Sequence, residues 1–132
     1  MKIIIDDNRK IQDLQDEFNK LFPYLKIEFF VKSHKPGEPS AKSLIVNKTK
    51  TIGECRKLHN NGSIIITPKI TVVGLEQNFN RIYGLSVQVF RKSGKAWLET
   101  TVTDNWTLEE QNYHGEMLTK YVEEKREKRL DS

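Results

Sequence analysis

Hydrophobic residues along this chain follow two periods in succession, and the same succession occurs twice. Residues 2–5 consist of a lysine and three β-branched isoleucines, which favours a strand. One apolar helical face follows, made by Ile11, Leu14, Phe18, Leu21 and Phe22. Residues 25–31 then alternate between apolar and polar side chains, except at Phe30, as expected of a second strand. This first copy therefore predicts the order strand, helix, strand.

A second copy repeats each step in altered letters. Residues 3–33 correspond to residues 64–93, with an offset of 61 before Pro23 and 60 after it. Phe18 falls on Phe79 and, further on, Phe30 falls on Phe90. Two such units predict an α+β fold of ferredoxin-like character, in which two βαβ halves place both helices on one face of an antiparallel sheet. We expect a single domain over residues 1–132 with one common core.

The connector between the copies, residues 34–62, predicts a loop and then a short helix. Residues 34–50 are rich in Pro, Gly, Ser and Lys, and only residues 44–46 have the composition of a short strand. We therefore expect a largely exposed loop. Thr51 and Glu54 have the spacing of a capping box. The short helix that it opens should have one shared face, formed by Ile52, Cys55 and His59.

Two further elements follow the second copy. Residues 96–101 have a strand pattern and come after a turn at residues 92–95, so they predict an antiparallel hairpin. A second capping box, at Thr107 and the glutamate three residues on, opens a C-terminal helix expected over residues 107–129. Its narrow apolar stripe consists of Met117, Leu118, Tyr121 and Val122. Gly115 lowers helix propensity by about 1 kcal/mol relative to alanine, which predicts a weak point or a kink.

The net charge of +4 is modest, and it is concentrated in one segment. Residues 32–57 contain seven basic and two acidic residues, whereas the rest of the chain is close to neutral. A basic connector is a weaker sign of nucleic-acid binding than a basic face. The chain has one cysteine, no run of about 18 apolar residues and no signal-peptide pattern. We expect a cytoplasmic protein that does not span a membrane.

Few groups of residues in the sequence suit a catalytic or metal site. Cys55 and His59 have the spacing that lets two helical side chains share a metal, or a nucleophile meet its base, but burial of one helix face explains the same residues. Asp6 and Asp7 are candidates for Mg²⁺ binding or for paired carboxylates. Adjacent strand residues point to opposite faces, which favours a turn-and-cap role instead. We expect no enzymatic activity, cofactor, metal or small-molecule ligand.

Phe30 and Phe90 indicate a binding surface, because both interrupt the polar side of their strands at matching places. They should emerge on the sheet face opposite the helices, although strands of this order tend to lie at opposite edges. Such rings stack on bases in the RNA-recognition motif, whose signature sequence is absent here. In the alternative interpretation, the C-terminal helix covers both rings. The candidate surface comprises Phe30, Phe90, Lys32, Lys92, Trp106 and Tyr121.

Trp106 directly precedes the N-cap threonine of the C-terminal helix. A hydrophobic staple, with the ring packed back on the first helical turn, is the simpler interpretation of this position. An exposed aromatic anchor for a partner is the other.

A resemblance is carried by residues 87–94, which read VQVFRKSG, and residues 103–112, which read TDNWTLEEQN. This region resembles a family of small uncharacterised bacterial proteins, mainly over residues 64–115. The resemblance implies a bacterial, cytoplasmic, single-domain protein and brings no activity with it.

These patterns favour a noncatalytic protein-interaction or self-association module that acts through the C-terminal helix and the sheet face carrying Phe30 and Phe90. Its partner would be another protein or a second copy of the chain. The alternative is a nucleic-acid-binding domain that uses the basic connector and the two sheet-face aromatics.

Overall fold

The computed structural model describes residues 1–30 and 45–131, and there the elements follow the predicted order. The strands are β1 (Lys2–Ile5), β2 (Leu25–Phe30), β3 (Gly62–Ile65), β4 (Ser86–Ser93) and β5 (Ala96–Glu99). The helices are α1 (Ile11–Leu21), α2 (Val72–Tyr83) and α3 (Leu108–Asp131), with a short 3-10 helix at Gly53–Cys55. Lys32 and most of the predicted loop lie outside the described residues.

The strands form two antiparallel ladders. β1 pairs with β3, while β2, β4 and β5 form a three-stranded sheet in that order. The predicted α+β class of ferredoxin-like character is confirmed, and it takes the form of two ladders rather than one continuous sheet. β2 lies at an edge as expected, but β4 is central. Phe30 is opposite Ser86 and Phe90 is opposite Lys26, so the two rings are about 13 Å apart along the strands.

One hydrophobic core holds the two copies together. Phe18 of α1 and Phe79 of α2 belong to the same buried cluster. The ring of Phe29 meets that of Phe79 edge-on, with 6.0 Å between centroids. Gly84 ends α2 in the left-handed conformation with φ of 64°, which glycine adopts without steric cost.

The repetition extends beyond the segments that the apolar pattern identifies. The loop before each capping box accepts hydrogen bonds from the first two N–H groups of the helix in its own copy. In the first copy these bonds run from Ile11 to the Lys50 carbonyl and from Gln12 to the Lys48 carbonyl. In the second copy they run from Val72 to the Trp106 carbonyl and from Val73 to the Asp104 carbonyl. Each loop thereby satisfies helix donors that have no partner within the helix.

The two capping boxes also occupy matching places. Both are formed as predicted, with Thr51 bonded to Glu54 and Thr107 bonded to Glu110. The residue after each threonine donates its N–H to the segment before the helix of that copy, from Ile52 to the Arg9 carbonyl and from Leu108 to the Ile70 carbonyl. Since β1–β3 and β2–β4 each pair a strand with its own counterpart, the chain folds like a two-fold dimer whose subunits are fused.

The copies diverge directly after the capping box. In the first copy the helix ends at Cys55, and Arg56 is extended with φ of −143° and ψ of 155°. The predicted helical face shared by Cys55 and His59 is therefore wrong. In the second copy α3 continues for 24 residues without ending at Gly115. Gly115 is buried, and a Cβ there would lie 3.0 Å from Tyr24 Cβ and 3.1 Å from Arg91 Cγ. The glycine allows α3 to approach the sheet closely.

Candidate functional site

Phe30 and Phe90 are buried, so the expectation that they emerge on an open sheet face is wrong. Only 3% of Phe30 and 7% of Phe90 is exposed. Lys26 Nζ lies 5.3 Å from the centroid of the Phe90 ring and 5.1 Å from that of Trp97. Lys92, the one lysine of the candidate surface that lies within the described residues, is partly buried on β4. The two phenylalanines therefore stabilise the fold and offer no stacking surface for bases.

α3 does not cover these phenylalanines either. The helix contacts β4 at Arg91, and successive residues of a strand point to opposite faces, so α3 lies on the side away from Phe90. The apolar stripe of α3 faces largely outward, contrary to the alternative interpretation, and only Val122 at its end borders Gly94 between β4 and β5. Its four members are 51%, 37%, 56% and 40% exposed, in the order Met117, Leu118, Tyr121 and Val122.

The buried face of α3 is mostly polar or small, which is why the apolar pattern misplaced it. It consists of Leu108, Gln111, Gly115 and Thr119. Gln111 accepts a hydrogen bond from Arg91 Nη1 at 2.8 Å and donates Nε2 to the Thr103 carbonyl at 2.8 Å. Thr119 Oγ1 accepts from the Gly94 N–H at 3.1 Å. Buried Leu108, these hydrogen bonds and the close approach at Gly115 hold the helix on the sheet, while Met117, Leu118 and Tyr121 stay largely exposed.

The outward stripe borders a groove of about 320 Å³. The groove is lined by Arg91, Trp106, His114, Met117, Leu118 and Tyr121. The Trp106 ring lies 4.8 Å from the His114 ring and 5.6 Å from Arg91 Cζ. The predicted staple on the first helical turn is therefore replaced by packing on the second turn. We call the six residues that line this groove the α3 surface.

Arg91 is the charged member of the α3 surface. Its Nε is buried and has no hydrogen-bond partner within the described part of the chain. Burial also lowers the pKa of the Arg91 guanidinium. A cation of this kind, stacked on tryptophan beside exposed Met and Tyr side chains, has the composition found at the centre of protein interfaces.

α3 extends well beyond its own domain. Thr119 is its last buried residue, and residues 123–130 are all exposed. Over this length the helix is supported by local contacts, such as the 2.7 Å ion pair of Lys120 with Glu116 and Lys125 Nζ above the Tyr121 ring at 5.5 Å. Such pairs contribute only a few tenths of a kcal/mol each.

Residues considered for chemistry meet in a cluster that the sequence pattern did not predict. The Arg56 side chain is fully buried and donates from Nη2 and Nε to Asp7 Oδ1 at 2.8 and 3.0 Å. Its Nη1 donates to the carbonyls of Asn60 and Tyr83 at 2.7 and 3.1 Å. His59 Nδ1 lies 2.8 Å from Asp7 Oδ2. The hydrogen bond from Arg56 holds the pKa of Asp7 below its usual range.

This cluster fastens the first copy and does not assemble a nucleophile with its base. The Cys55 thiol donates to the Thr51 carbonyl at 3.2 Å, and burial raises its pKa. His59 binds Asp7, so it does not activate the thiol through Nδ1. Within residues 1–30 and 45–131, no group of three or more His, Cys, Asp and Glu residues has an arrangement that suits a metal ion.

Asp6 and Asp7 have separate roles. Asp6 Oδ1 accepts from the Asn8 N–H at 2.8 Å, which confirms the predicted turn. The predicted helix cap is wrong, because Lys10 is the N-cap of α1 and makes no side-chain cap bond. Nearby backbone carbonyls of the loop before Thr51 take over that role.

No protein-family model matches the sequence, and comparison with curated proteins and with solved structures also gave no match. The resemblance of residues 64–115 to a bacterial family stays a prediction. No helix in the described ranges combines the length and apolar composition needed to cross a bilayer. The α3 surface is the strongest candidate site on structural grounds.

Proposed function

We propose that this protein is a noncatalytic protein-interaction module, and that it binds its partner through the α3 surface. One observation carries the proposal: after Leu108, α3 docks on its own sheet through Gln111, Gly115 and Thr119, and it turns Met117, Leu118 and Tyr121 largely to solvent. Contiguous exposed apolar side chains rimmed by charge are typical of surfaces that bind other proteins.

The composition of the α3 surface supports this function. Residues that dominate binding energies are enriched in Trp, Tyr and Arg, and Met is common at interfaces. All four types occur here, and Trp106, Arg91 and Tyr121 line the same groove. Burial of an exposed Met, Leu or Tyr side chain contributes on the order of 1 to 2 kcal/mol.

The projecting half of α3 supports the same conclusion. Isolated helices shorter than about 12 to 15 residues are marginal in water. Residues 123–130 are all exposed. A partner packed along Met117, Leu118 and Tyr121 would extend onto this segment and stabilise it.

The nucleic-acid alternative loses support, because Phe30 and Phe90 are buried and offer no surface on which bases could stack. We therefore propose only the protein-interaction function. We assign it to the cytoplasm, as expected from the composition of the chain.

The proposal is tested by a photo-reactive benzoylphenylalanine placed at Tyr121 in living cells. We expect irradiation to join the chain covalently to a protein partner. The matched control places the same group at Val102, which is 92% exposed and lies on a loop of the same copy. Equal labelling at both positions, or no protein adduct at Tyr121, would refute the function.

A further inference from the structure

We infer that the partner on the α3 surface is a second copy of this chain, and that two α3 helices pair antiparallel in one register. This inference rests on the proposed function and names its partner. It follows from the spacing and the charges of the exposed face.

Six exposed residues of α3 form one line along the helix. They are Glu110, His114, Met117, Tyr121, Glu124 and Lys128. Their spacing alternates between four and three, the repeat that brings side chains onto the contact seam of paired helices. Met117 and Tyr121 occupy the middle of this seam, with Leu118 beside them. The apolar part is thus central and the charged part lies at both ends.

An antiparallel arrangement matches the seam to itself. When Met117 of one copy lies opposite Tyr121 of the other, the same register places His114 opposite Glu124 and Glu110 opposite Lys128. Every layer occurs twice because the pair has a two-fold axis. The two copies of Leu118 then meet beside this axis and complete an apolar centre.

A parallel arrangement lacks this complementarity. In register, it would place Glu110 opposite Glu110, Glu124 opposite Glu124 and Lys128 opposite Lys128. Like charges directly opposed across an interface disfavour pairing. Antiparallel pairing also brings the positive end of each helix dipole beside the negative end of the other.

The distribution of charge along the whole of α3 also favours antiparallel pairing. Residues 108–118 contain three glutamates and no lysine or arginine, whereas residues 120–129 contain five basic and three acidic residues. Antiparallel pairing brings the acidic first half of each copy against the more basic second half of the other. Charge therefore selects both the second copy as partner and the orientation.

The contact is of limited size. Only the central layers are apolar, and a pair of helices of this length buries an area at the low end of specific interfaces. We therefore expect a dissociation constant in the micromolar range, with affinity that weakens as salt rises.

Sedimentation equilibrium of the full chain over a dilution series tests the inference. We expect a reversible monomer–dimer equilibrium in the wild-type chain. Tyr121→Glu buries a charge in the central layer and should abolish the dimer. Lys128→Glu places glutamate opposite Glu110 at both ends, and should raise the dissociation constant about tenfold at low salt.

A compensating variant tests the register. Glu110→Gln keeps a side chain that can serve the capping box and removes the charge. Added to Lys128→Glu, it should recover about threefold of the lost affinity, since it removes one member of each repulsive pair. A dimer whose affinity is unchanged by Lys128→Glu overturns the antiparallel register.

The outcomes separate this inference from the proposed function. A wild-type chain that remains monomeric at millimolar concentration overturns self-pairing. If benzoylphenylalanine at Tyr121 then joins a different protein in cells, the proposed function stands with another partner. If it joins nothing, both fail. An adduct with twice the mass of the chain supports both.

Discussion

The two copies of the repeat share a backbone frame through the capping box and then separate. After Glu54, the first copy turns Arg56 inward onto Asp7 and reaches β3 without a further helix. After Glu110, the second copy continues as α3. The two capping boxes are therefore followed by different structures: an ion pair between the buried Arg56 and Asp7 in the first copy, and the projecting helix α3 in the second. A capping box opens a helix, and the contacts available to the following residues decide its length.

A second difference between the copies concerns a contact between the helix and the second strand, which involves residues at matching positions. In the first copy Gln15 Nε2 donates to Glu28 Oε2 at 3.2 Å, with the carboxylate on the strand. In the second copy the carboxylate is on the helix, where Glu76 Oε2 accepts from the Val89 N–H at 3.1 Å. Burial raises the pKa of Glu76 to about 8, and the charge of Asp104 adds to the effect. The second copy therefore carries a buried acid that favours its proton.

The largest expected effect comes from that acid. The folded state holds the proton of Glu76 up to pH of about 8, whereas an unfolded glutamate releases it near 4.5. Its stabilising contribution is complete below 4.5 and is lost as pH rises toward 8, at up to about 1.4 kcal/mol per pH unit. We expect Glu76→Gln to flatten this slope in urea unfolding between pH 5 and 8. The Glu28→Gln control should keep it, and an unchanged slope in Glu76→Gln would argue against a protonated Glu76.

Removal of the ion pair between Arg56 and Asp7 in the first copy should have the next largest effect on stability. Arg56→Ala leaves Asp7 and the Tyr83 carbonyl without their buried cation, at a cost of about 3 kcal/mol in unfolding free energy. The matching residue of the second copy is Asn112, whose Oδ1 accepts from the Tyr24 N–H at 2.9 Å. Asn112→Ala should cost only about 1 kcal/mol. Equal losses in chemical denaturation would contradict the difference between the copies.

The close packing of α3 against the sheet can be disrupted by a substitution at Gly115. Gly115→Val forces side-chain atoms against Tyr24 and Arg91, and should destabilise the protein by about 2 kcal/mol. Tyr113→Val changes an exposed residue of the same helix whose ring meets that of the exposed His114, and it should cost about 0.5 kcal/mol or less. Thermal unfolding of both variants measures the difference. If Gly115→Val is no worse than Tyr113→Val, α3 does not dock as described.

The smallest expected effect compares the two capping boxes. Thr107→Ala removes the side-chain oxygen that accepts from the Glu110 N–H at 3.1 Å, and should cost about 1 kcal/mol. Thr51→Ala should cost less, because a single turn follows it and its matching bond is longer at 3.3 Å. Circular dichroism should show helix loss only for Thr107→Ala. Helix loss of the same size in both variants would show that the boxes do not differ in this way.

The elements of the fold were predictable because their apolar positions repeat with helical or strand periods. Phe18 and Phe79 were placed correctly on helix faces that meet in one core. The turn at Gly84 followed from the conformational freedom of glycine. The repetition of the two loops before Thr51 and Thr107 was not predictable. These loops match in the hydrogen bonds of their backbone carbonyls, and their amino-acid sequences show no similarity that would reveal the match.

Two residues of the candidate surface expected from the sequence recur in the proposed α3 surface. Tyr121 and Trp106 belong to the α3 surface, whereas Phe30 and Phe90 are buried. An apolar period identifies an apolar face but does not say what covers it, and the docking face of α3 carries Gln111 and Thr119 in place of large apolar residues. The pairing of Arg56 with Asp7 spans 49 residues, so no local spacing could reveal it.

Hydrogen–deuterium exchange of α3 as a function of protein concentration tests the central claim most directly. The account predicts that amides of residues 120–130 exchange rapidly in dilute solution and slow as concentration rises, while those of α1 stay constant. In Tyr121→Glu the exchange of residues 120–130 should not depend on concentration. Exchange in the wild-type chain that is equally fast, or equally slow, at every concentration would contradict a surface completed by a second copy.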